Sequence, residues 1–483
     1  MGMRDDLHNS VLVNKPVDDL DSLVDQFNTT LRTIFDKHAP MKSRTLTNKR
    51  ENPWYNNEIH EQRKLRRKLT RIWRKTKSST DKEKMISQRD LVHNMIHTAK
   101  STFYQHAIIK AGTDSKTLFQ ITSELLSDRK VNPMPDAPLE TNPNDFNAFF
   151  VENINRLKER FDDSSDYKTY DCNSIVTRFH EFLPIDLDQT RKLIESAPNK
   201  SCDLDPIPTV IFKSFIDTIA PVVQKIINTS LDTGTVPSAY KSATVKPLLK
   251  KPGLETLHKN YRPVSNLSFI SKLIEQTVIN QLEKHSEMNG LGDDLQSAYR
   301  PDHSTETALL HIVDDLLIAM DNRNAVCLGM LDLSAAFDTI NHDIMIERLV
   351  TSQGIDAPAI DWFDSYLRGR TQRVVVENHM SDPIMVEDGA VQGSKIGCRL
   401  YKKYVEPLGK LLKQSNCANH GYADDNTIWI IVNPRSESSV HLGLQLLEHT
   451  IEDVRTWMYA NKLCPNDSKT LNIVTQKICH NAP

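Results

Sequence analysis

Two adjacent carboxylates stand out in the stretch Gly421-Tyr422-Ala423-Asp424-Asp425-Asn426-Thr427-Ile428-Trp429. The flanking residues are apolar and β-prone, which predicts a strand, a tight turn carrying Asp424 and Asp425, and a returning strand. Neighbours along a strand face opposite ways, so a turn at the pair is what lets both carboxylates lean toward one point. A solvated Asp-Asp turn has the same local sequence. A second acidic site separates the readings. The apolar run Ala325–Leu331 reads as a buried strand, and Asp332 ends it. Charge is rarely buried unless it is paired or bound to a metal. Two strand-ending acidic sites can lie side by side in one antiparallel sheet, and Asp332, Asp424 and Asp425 would then offer hard oxygen ligands suited to a pair of Mg²⁺ ions, with Mn²⁺ as a substitute. Such a pair activates an attacking oxygen and stabilises a leaving phosphate oxygen in an in-line displacement, which is polymerase chemistry.

Tyr422-Ala423-Asp424-Asp425 resembles the Tyr-x-Asp-Asp box of reverse transcriptases. Asp332-Leu333-Ser334-Ala335-Ala336-Phe337-Asp338 resembles their first catalytic motif, in the form carried by LINE-type (non-LTR) retrotransposons of the jockey and chicken-repeat group. Further segments in the same order are similar to that group. They are Lys200–Pro208, which resembles the opening of the fingers; Val245–Gly253 with Asn260-Tyr261-Arg262-Pro263-Val264-Ser265, which reads as a basic hairpin; Gln296–Ala308; Gln392-Gly393-Ser394; and Trp457–Thr470. The close resemblance spans roughly residues 175 to 475, and it is looser over the N-terminal third. A related intron-maturation or telomerase-type enzyme fits less well, because Ala298-Tyr299-Arg300-Pro301 and Asn260–Pro263 point to the LINE type.

The resemblance implies an RNA-directed DNA polymerase acting on an RNA template, a DNA primer and deoxynucleotides. Asp332, Asp424 and Asp425 would be both catalytic and metal-binding. Arg262 matches the arginine that binds triphosphate, and Lys250 or Lys251 its lysine partner; cations there would offset charge developing on the leaving pyrophosphate. Phe337 stands where the family excludes a 2′-OH, against the alternative of an ordinary core aromatic. Asp338 reads as a structural hydrogen-bonding partner. Gln392 is assigned to the nucleotide, and Gly393, Ser394 and Arg300 to the template. Lys469 is a candidate for protonating pyrophosphate, against the alternative of a plain exposed lysine. Thr305 is expected as a helix N-cap. The sequence departs from the group at Val391 and Cys398, where proline is usual, and at Asp302, where glycine is usual. A lost proline loosens a preset φ without removing a reacting group.

The elements that must position these residues are legible in outline. The expected fold is α/β, a right-hand polymerase palm and fingers with an antiparallel palm sheet, preceded by a mainly helical basic region. Residues 1–128 are assigned to that region, 129–174 to a Pro/Asn/Asp-rich linker with one helix, and 175–483 to the polymerase domain with its thumb lacking. In the family an endonuclease precedes such a segment, and the chain is expected to start after it. Leu20, Leu23, Val24, Phe27, Leu31, Ile34 and Phe35 repeat at helical spacing, with Asp18 or Asp21 as N-cap. Between positions 42 and 89, sixteen Lys/Arg face five Asp/Glu. Within that run Leu65, Leu69, Ile72 and Trp73 mark one face of a helix whose remaining surface is basic. A solvated helix and a phosphate-contacting arm both have this pattern. Phe146, Phe149, Phe150, Ile154 and Leu157 mark another amphipathic helix. Thr371–Val376 and Ile384–Glu387 read as a hairpin leading to the Gln392 loop. A helix is expected over Ser436–Ala460.

Over 483 residues the formal charge is only −3, so any nucleic-acid surface must be local rather than global. Seven scattered cysteines without a Cys-x-x-Cys spacing argue against a disulfide framework or zinc site, and for a reducing compartment. No stretch approaches the roughly 20 apolar residues of a membrane span, and the N-terminus does not read as a signal peptide. An intracellular protein of cytoplasm or nucleus, not secreted and of unspecified oligomeric state, is the expectation. The rival functional class is a catalytically inactive nucleic-acid-binding remnant of such an element.

Overall fold

A computed structural model describes residues 2–40, 52–112, 114–126, 142–161, 177–251, 253–377, 379–466 and 470–475. The chain divides into two compact units, residues 41–136 and the remainder. The N-terminal helices α1 (Met3–His8), α2 (Val11–Asn14) and α3 (Leu20–His38) belong to the larger unit, not with the basic region as residues 1–128 were divided above. The reason is the apolar stripe of α3. Leu23, Val24, Phe27 and Leu31 are fully buried, and Phe27 meets Phe212 edge-on with centroids 6.2 Å apart. An amphipathic face of this size needs a large apolar partner, and the main core supplies one. The α3 N-cap is Asp19, whose carboxylate accepts from the Ser22 N–H at 3.0 Å. The two residues expected there do other work: Asp18 pairs with Lys225 at 2.7 Å, and Asp21 accepts from the Ser238 N–H at 2.8 Å.

The smaller unit contains α4 (Asn57–Thr76), α5 (Ser79–Ala111) and α6 (Ser115–Leu126). Asn56 caps α4, and Lys77 closes it with φ 55°. Helices α4 and α5 pack together around Ile59 and Val92, helped by a 2.8 Å bond between the Gln88 and Gln62 side chains. Arg63 lies over the Tyr55 ring, Lys77 over Trp73 and Lys100 over Trp54. Leu65 and Ile72, expected on the packed face of α4, are more than a third exposed.

The larger unit continues with α7 (Pro143–Lys158), α8 (Leu187–Ser196), α9 (Thr209–Ser214) and α10 (Ile216–Asp232). Strands β1 (Ser242–Leu249) and β2 (Tyr261–Asn266) form the expected hairpin. Helices α11 (Phe269–Met288) and α12 (Thr305–Asp321) lead to β3 (Ala325–Leu331) and β4 (Leu333–Ser334). Next come α13 (His342–Thr351), α14 (Ala359–Leu367), β5 (Arg370–Val376), β6 (His379–Met380) and β7 (Ile384–Val386). The chain then runs through α15 (Lys395–Gln414), β8 (Ala418–Tyr422), β9 (Asp425–Val432), α16 (Glu437–Ala460), β10 (Cys464–Pro465) and β11 (Leu471–Thr475). The α12 N-cap is Ser304, in a capping box with Thr307, one residue before the expected Thr305.

One sheet has the order β2-β1-β5-β6, with β7 also on β5. The aromatic face of α7 covers it: Phe146 and Phe150 are buried with Val245, Tyr261 and Val374. This helix, assigned above to a linker, is therefore part of the sheet's core. A second sheet, β11-β3-β9-β8, is antiparallel throughout. A two-stranded sheet joins β10 to β4. Helix α15 packs in the main core against α11, α13, α16 and β8, with Leu400, Tyr401 and Tyr404 fully buried. Arg348 is buried between the rings of Tyr404 and Trp457, at 4.5 and 5.3 Å from their centroids. Among the described residues no helix is long and apolar enough to cross a membrane, and the five described cysteines are free thiols.

Candidate active site

The antiparallel register of β3 and β9 decides where the first carboxylate falls. Leu331 is opposite Asn426, so the next residue out, Asp332, comes opposite Asp425 at the head of β9. Strand β8 reaches the same end, where Tyr422 pairs with Asp425 across a loop of only Ala423 and Asp424. The turn therefore sits one residue earlier than expected: it carries Asp424, while Asp425 opens the returning strand. Ala423 takes φ 57°, a left-handed backbone that is uncommon for a residue with a Cβ. Asp332 is fixed by a residue to which the sequence assigned no role. The pairing of β4 with β10 brings Asn466 alongside; its side chain donates to Asp332 Oδ2 at 2.8 Å, and its N–H donates to the Asp332 carbonyl at 2.9 Å. Among the described residues, no group of three or more His, Cys, Asp or Glu side chains is arranged to hold a metal ion. The donor set at these strand ends is nevertheless three carboxylates, the ligand chemistry that hard divalent cations take.

A second structure faces the carboxylates through Tyr401. Its hydroxyl is buried without a hydrogen-bond partner among the described residues, and burial first, then the charges of Asp424 and Asp425, pushes it well above the ordinary tyrosine range. Phe337, half-buried, lies against the Tyr401 ring with centroids 4.8 Å apart. Phe337 is held by its own turn, in which the Asp338 N–H reaches the Ala335 carbonyl at 2.8 Å, and by the Ala390 N–H on its carbonyl at 2.8 Å. Asp338 differs from the expectation. Among the described residues no hydrogen bond reaches its carboxylate, and burial pushes it up to about 6.

The loop before α15 connects this platform to β2. The Gln392 carbonyl accepts from the Ser265 N–H at 3.0 Å, and Gly393 (φ 107°) passes so close that an added Cβ would stand 2.4 Å from the Ser265 carbonyl oxygen. Glycine is required here both by φ and by space. Gln392 Oε1 is buried with no hydrogen-bond partner among the described residues. Ser394 is buried and caps α15, accepting from the Gly397 N–H; its hydroxyl also meets Tyr366 at 2.6 Å and Glu275 at 2.9 Å. Those bonds make Ser394 the anchor of the loop, with its hydroxyl already engaged. Of the two proline departures, Cys398 sits against the Tyr299 hydroxyl, and Val391 accepts from the Ser394 N–H at 3.0 Å.

Arg262 is exposed on β2, opposite Leu248. Lys250 and Lys251, just beyond β1, are exposed, and Lys250 Nζ donates to the Lys259 carbonyl at 2.7 Å. Arg300 is half-buried and donates to the Asp294 carbonyl at 2.8 Å. Lys469 lies outside the described residues. The structure thus links Asp424 and Asp425 through Tyr401 to Phe337, and Phe337 through the Gln392 loop to the strand of Arg262.

Residues 249–480 match the family model for reverse transcriptase (RNA-dependent DNA polymerase). The RNA-directed DNA polymerase from the mobile element jockey of Drosophila funebris is 22% identical over 488 residues, covering 96% of this chain and 52% of the relative. The probable RNA-directed DNA polymerase from transposon BS of Drosophila melanogaster is 27% identical over 296 residues, covering 60% of this chain and 32% of the relative. The jockey polymerase of Drosophila melanogaster is 24% identical over 365 residues, covering 71% of this chain and 39% of the relative. The chain thus spans between about a third and about half the length of these relatives. With three acidic residues at the ends of β3, β8 and β9 and the matched segment enclosing them, residues 249–480 are a reverse transcriptase domain, similar to those of the jockey-like polymerases of LINE-type (non-LTR) elements.

Proposed function

We propose that this chain carries RNA-directed DNA polymerase activity, adding deoxynucleotides to a primer 3′-OH under the direction of an RNA template. The observation that carries the proposal is the register that sets Asp332 opposite Asp425, beside Asp424 on the two-residue turn. In this reading the antiparallel sheet is the palm, and the β1–β2 hairpin belongs to the fingers. Asp332, Asp424 and Asp425 would hold two Mg²⁺ ions, with Mn²⁺ as a substitute. Such ions lower the pKa of an attacking hydroxyl and neutralise charge on the leaving pyrophosphate.

The remaining roles fall to the chain's own residues. Asn466 holds the Asp332 carboxylate toward the turn. Arg262, Lys250 and Lys251 bind the triphosphate, where charge-assisted hydrogen bonds are strongest. Phe337, backed by Tyr401, occupies the space a 2′-OH would need and so selects deoxynucleotides. Gln392 offers its unpartnered amide oxygen to the nucleotide. Gly393 and Ser394 shape the loop on which template and nucleotide rest, and Arg300 binds template phosphate. Lys469 donates a proton toward pyrophosphate, an assignment that rests on the resemblance alone. Base pairing, not side chains, sets the sequence copied.

The test is primer extension on an RNA template with Mg²⁺ and deoxynucleotides, beside the Asp424→Ala/Asp425→Ala double variant. Extension by the parent chain that is abolished in the variant, with salt-sensitive RNA binding kept in both, is the expected result. Equal extension in both overturns the assignment of the carboxylates. Absence of extension in both, with salt-sensitive binding kept, establishes the binding remnant instead.

A further inference from the structure

The segment before α12 does something its motif does not announce. Residues 295–298 run beside β8 as a short parallel partner: the Gly421 N–H donates to the Leu295 carbonyl at 2.8 Å, and the Ser297 N–H to the Gly421 carbonyl at 3.0 Å. From this rail the buried side chain of Gln296 reaches the turn of the carboxylate pair. Its Oε1 accepts from the Ala423 N–H at 2.8 Å, and its Nε2 donates to the Ala423 carbonyl at 3.2 Å. Both polar groups of one backbone residue are taken by one side-chain amide. That residue is the one in the turn with a left-handed φ, a conformation a Cβ-bearing residue keeps only when its surroundings hold it there. The space is reserved for the clamp. A Cβ on Gly421 would stand 2.9 Å from Gln296 Nε2 and 3.1 Å from Asn426 Oδ1. The neighbouring Ser297 hydroxyl is tied to His420 Nε2 at 2.8 Å, which fixes the rail on the far side.

We propose that Gln296 is a positioning residue for the site: its amide locks Ala423 in the left-handed conformation, and so fixes the direction in which Asp424 and Asp425 leave the turn. This deepens the polymerase reading and rests on it. Both favoured turns for a two-residue hairpin, types I′ and II′, require positive φ at the first residue, here Ala423. Alanine does not choose that conformation unaided, whereas glycine does. Released from Gln296, Ala423 relaxes, and the carboxylates beside it lose their common aim while the sheet behind them stays paired.

The experiment uses the full chain with Gln296→Ala, Gln296→Glu, Ala423→Gly and the Gln296→Ala/Ala423→Gly pair. Three readouts are taken: Mn²⁺ affinity by electron paramagnetic resonance, with Asp424→Ala/Asp425→Ala as control; hydrogen exchange at the Ala423 amide; and primer-extension kinetics. Gln296→Ala is expected to weaken Mn²⁺ binding about 10-fold and to lower kcat on the order of 100-fold, the penalty of misplacing a reacting group by about 1 Å. It should leave the nucleotide KM and RNA binding unchanged, and speed exchange at Ala423. Gln296→Glu keeps the acceptor for the Ala423 N–H but sets a carboxylate oxygen against the Ala423 carbonyl, so it falls between parent and Ala. Adding Ala423→Gly restores most of the Mn²⁺ affinity and kcat, because glycine holds the turn without the clamp. A Gln296→Ala chain with unchanged Mn²⁺ affinity, or a double variant with no recovery, overturns the proposal. If Mn²⁺ binding by the parent is indifferent to the Asp424→Ala/Asp425→Ala control, the polymerase reading fails instead. The clamp is then decided by exchange alone: a protected Ala423 amide that becomes fast in Gln296→Ala sustains it, and equal rates in the two chains overturn it.

Discussion

Replacing Gly393 by alanine tests whether the Gln392 loop is shaped by its approach to β2. Two costs follow from the structure. The backbone at Gly393 has φ 107°, outside the regions open to an L-residue, and holding alanine there costs about 1–3 kcal/mol. The new Cβ would stand 2.4 Å from the Ser265 carbonyl oxygen, a backbone atom that cannot swing aside. Overpacking of that kind costs about 1–3 kcal/mol more. The loop can escape both by leaving β2, which breaks the 3.0 Å bond from the Ser265 N–H to the Gln392 carbonyl. Because α15 is capped independently by Ser394, the damage should stay local to the loop. The expected result is a nucleotide KM raised at least 10-fold with kcat reduced less, and a urea midpoint lowered by the equivalent of about 2–4 kcal/mol. The assay is steady-state primer extension beside equilibrium urea unfolding. A variant with parental KM and parental midpoint would refute the reasoning, since it would mean that the loop does not rest on β2.

Three further outcomes are expected. Burial holds the Asp338 carboxyl at about 6, above its unfolded value. The stability it contributes is therefore full below about pH 4 and is lost as pH rises through 6, by up to about 3 kcal/mol. Asp338→Asn should raise the urea midpoint at pH 7.5 by the equivalent of about 1–3 kcal/mol and leave it unchanged at pH 4; an equal change at both pH values contradicts the assignment. Phe337→Ala removes the ring packed against Tyr401 and should lower discrimination between deoxy- and ribonucleotides by about 10- to 200-fold, measured as the ratio of kcat/KM values. Unchanged discrimination would make Phe337 a core residue only. Replacing Arg67, Lys68, Arg71 and Arg74 by alanine removes four charges from one helix. If α4 contacts RNA phosphates, the slope of log affinity against log salt should become shallower by up to about 3. A parental slope would place the RNA elsewhere.

Local pattern carried the sequence reading as far as local physics reaches. The apolar run ending at Asp332 and the two runs flanking Asp424 became β3, β8 and β9 because short β-prone runs bounded by a charge or a turn read as strands buried on both faces. The basic hairpin and the helix after Ser436 are equally local features. Three residues that shape the site escaped notice for one reason: their partners are far away in sequence. Gln296 acts on a turn 127 positions later, Asn466 on an aspartate 134 positions earlier, and Tyr401 on a phenylalanine from another element. The glutamine, asparagine and tyrosine types alone give no sign of such contacts. Caps slipped by a residue, as at Asp19 and Ser304, because neighbouring Asp, Ser and Thr side chains compete for the same N–H groups. The division of the chain moved because α3 and α7 carry amphipathic faces whose destinations only the tertiary core reveals.

Three carboxylates serving as one divalent-cation site are the core of the proposed mechanism. Its most direct measurement is anomalous X-ray scattering from crystals of the chain with primer–template, a non-reacting deoxynucleotide analogue and Mn²⁺. The account predicts Mn²⁺ peaks within bonding distance of Asp332, Asp424 and Asp425, lost in the Asp424→Ala/Asp425→Ala variant. Fully bound nucleotide with no Mn²⁺ at these carboxylates would contradict it.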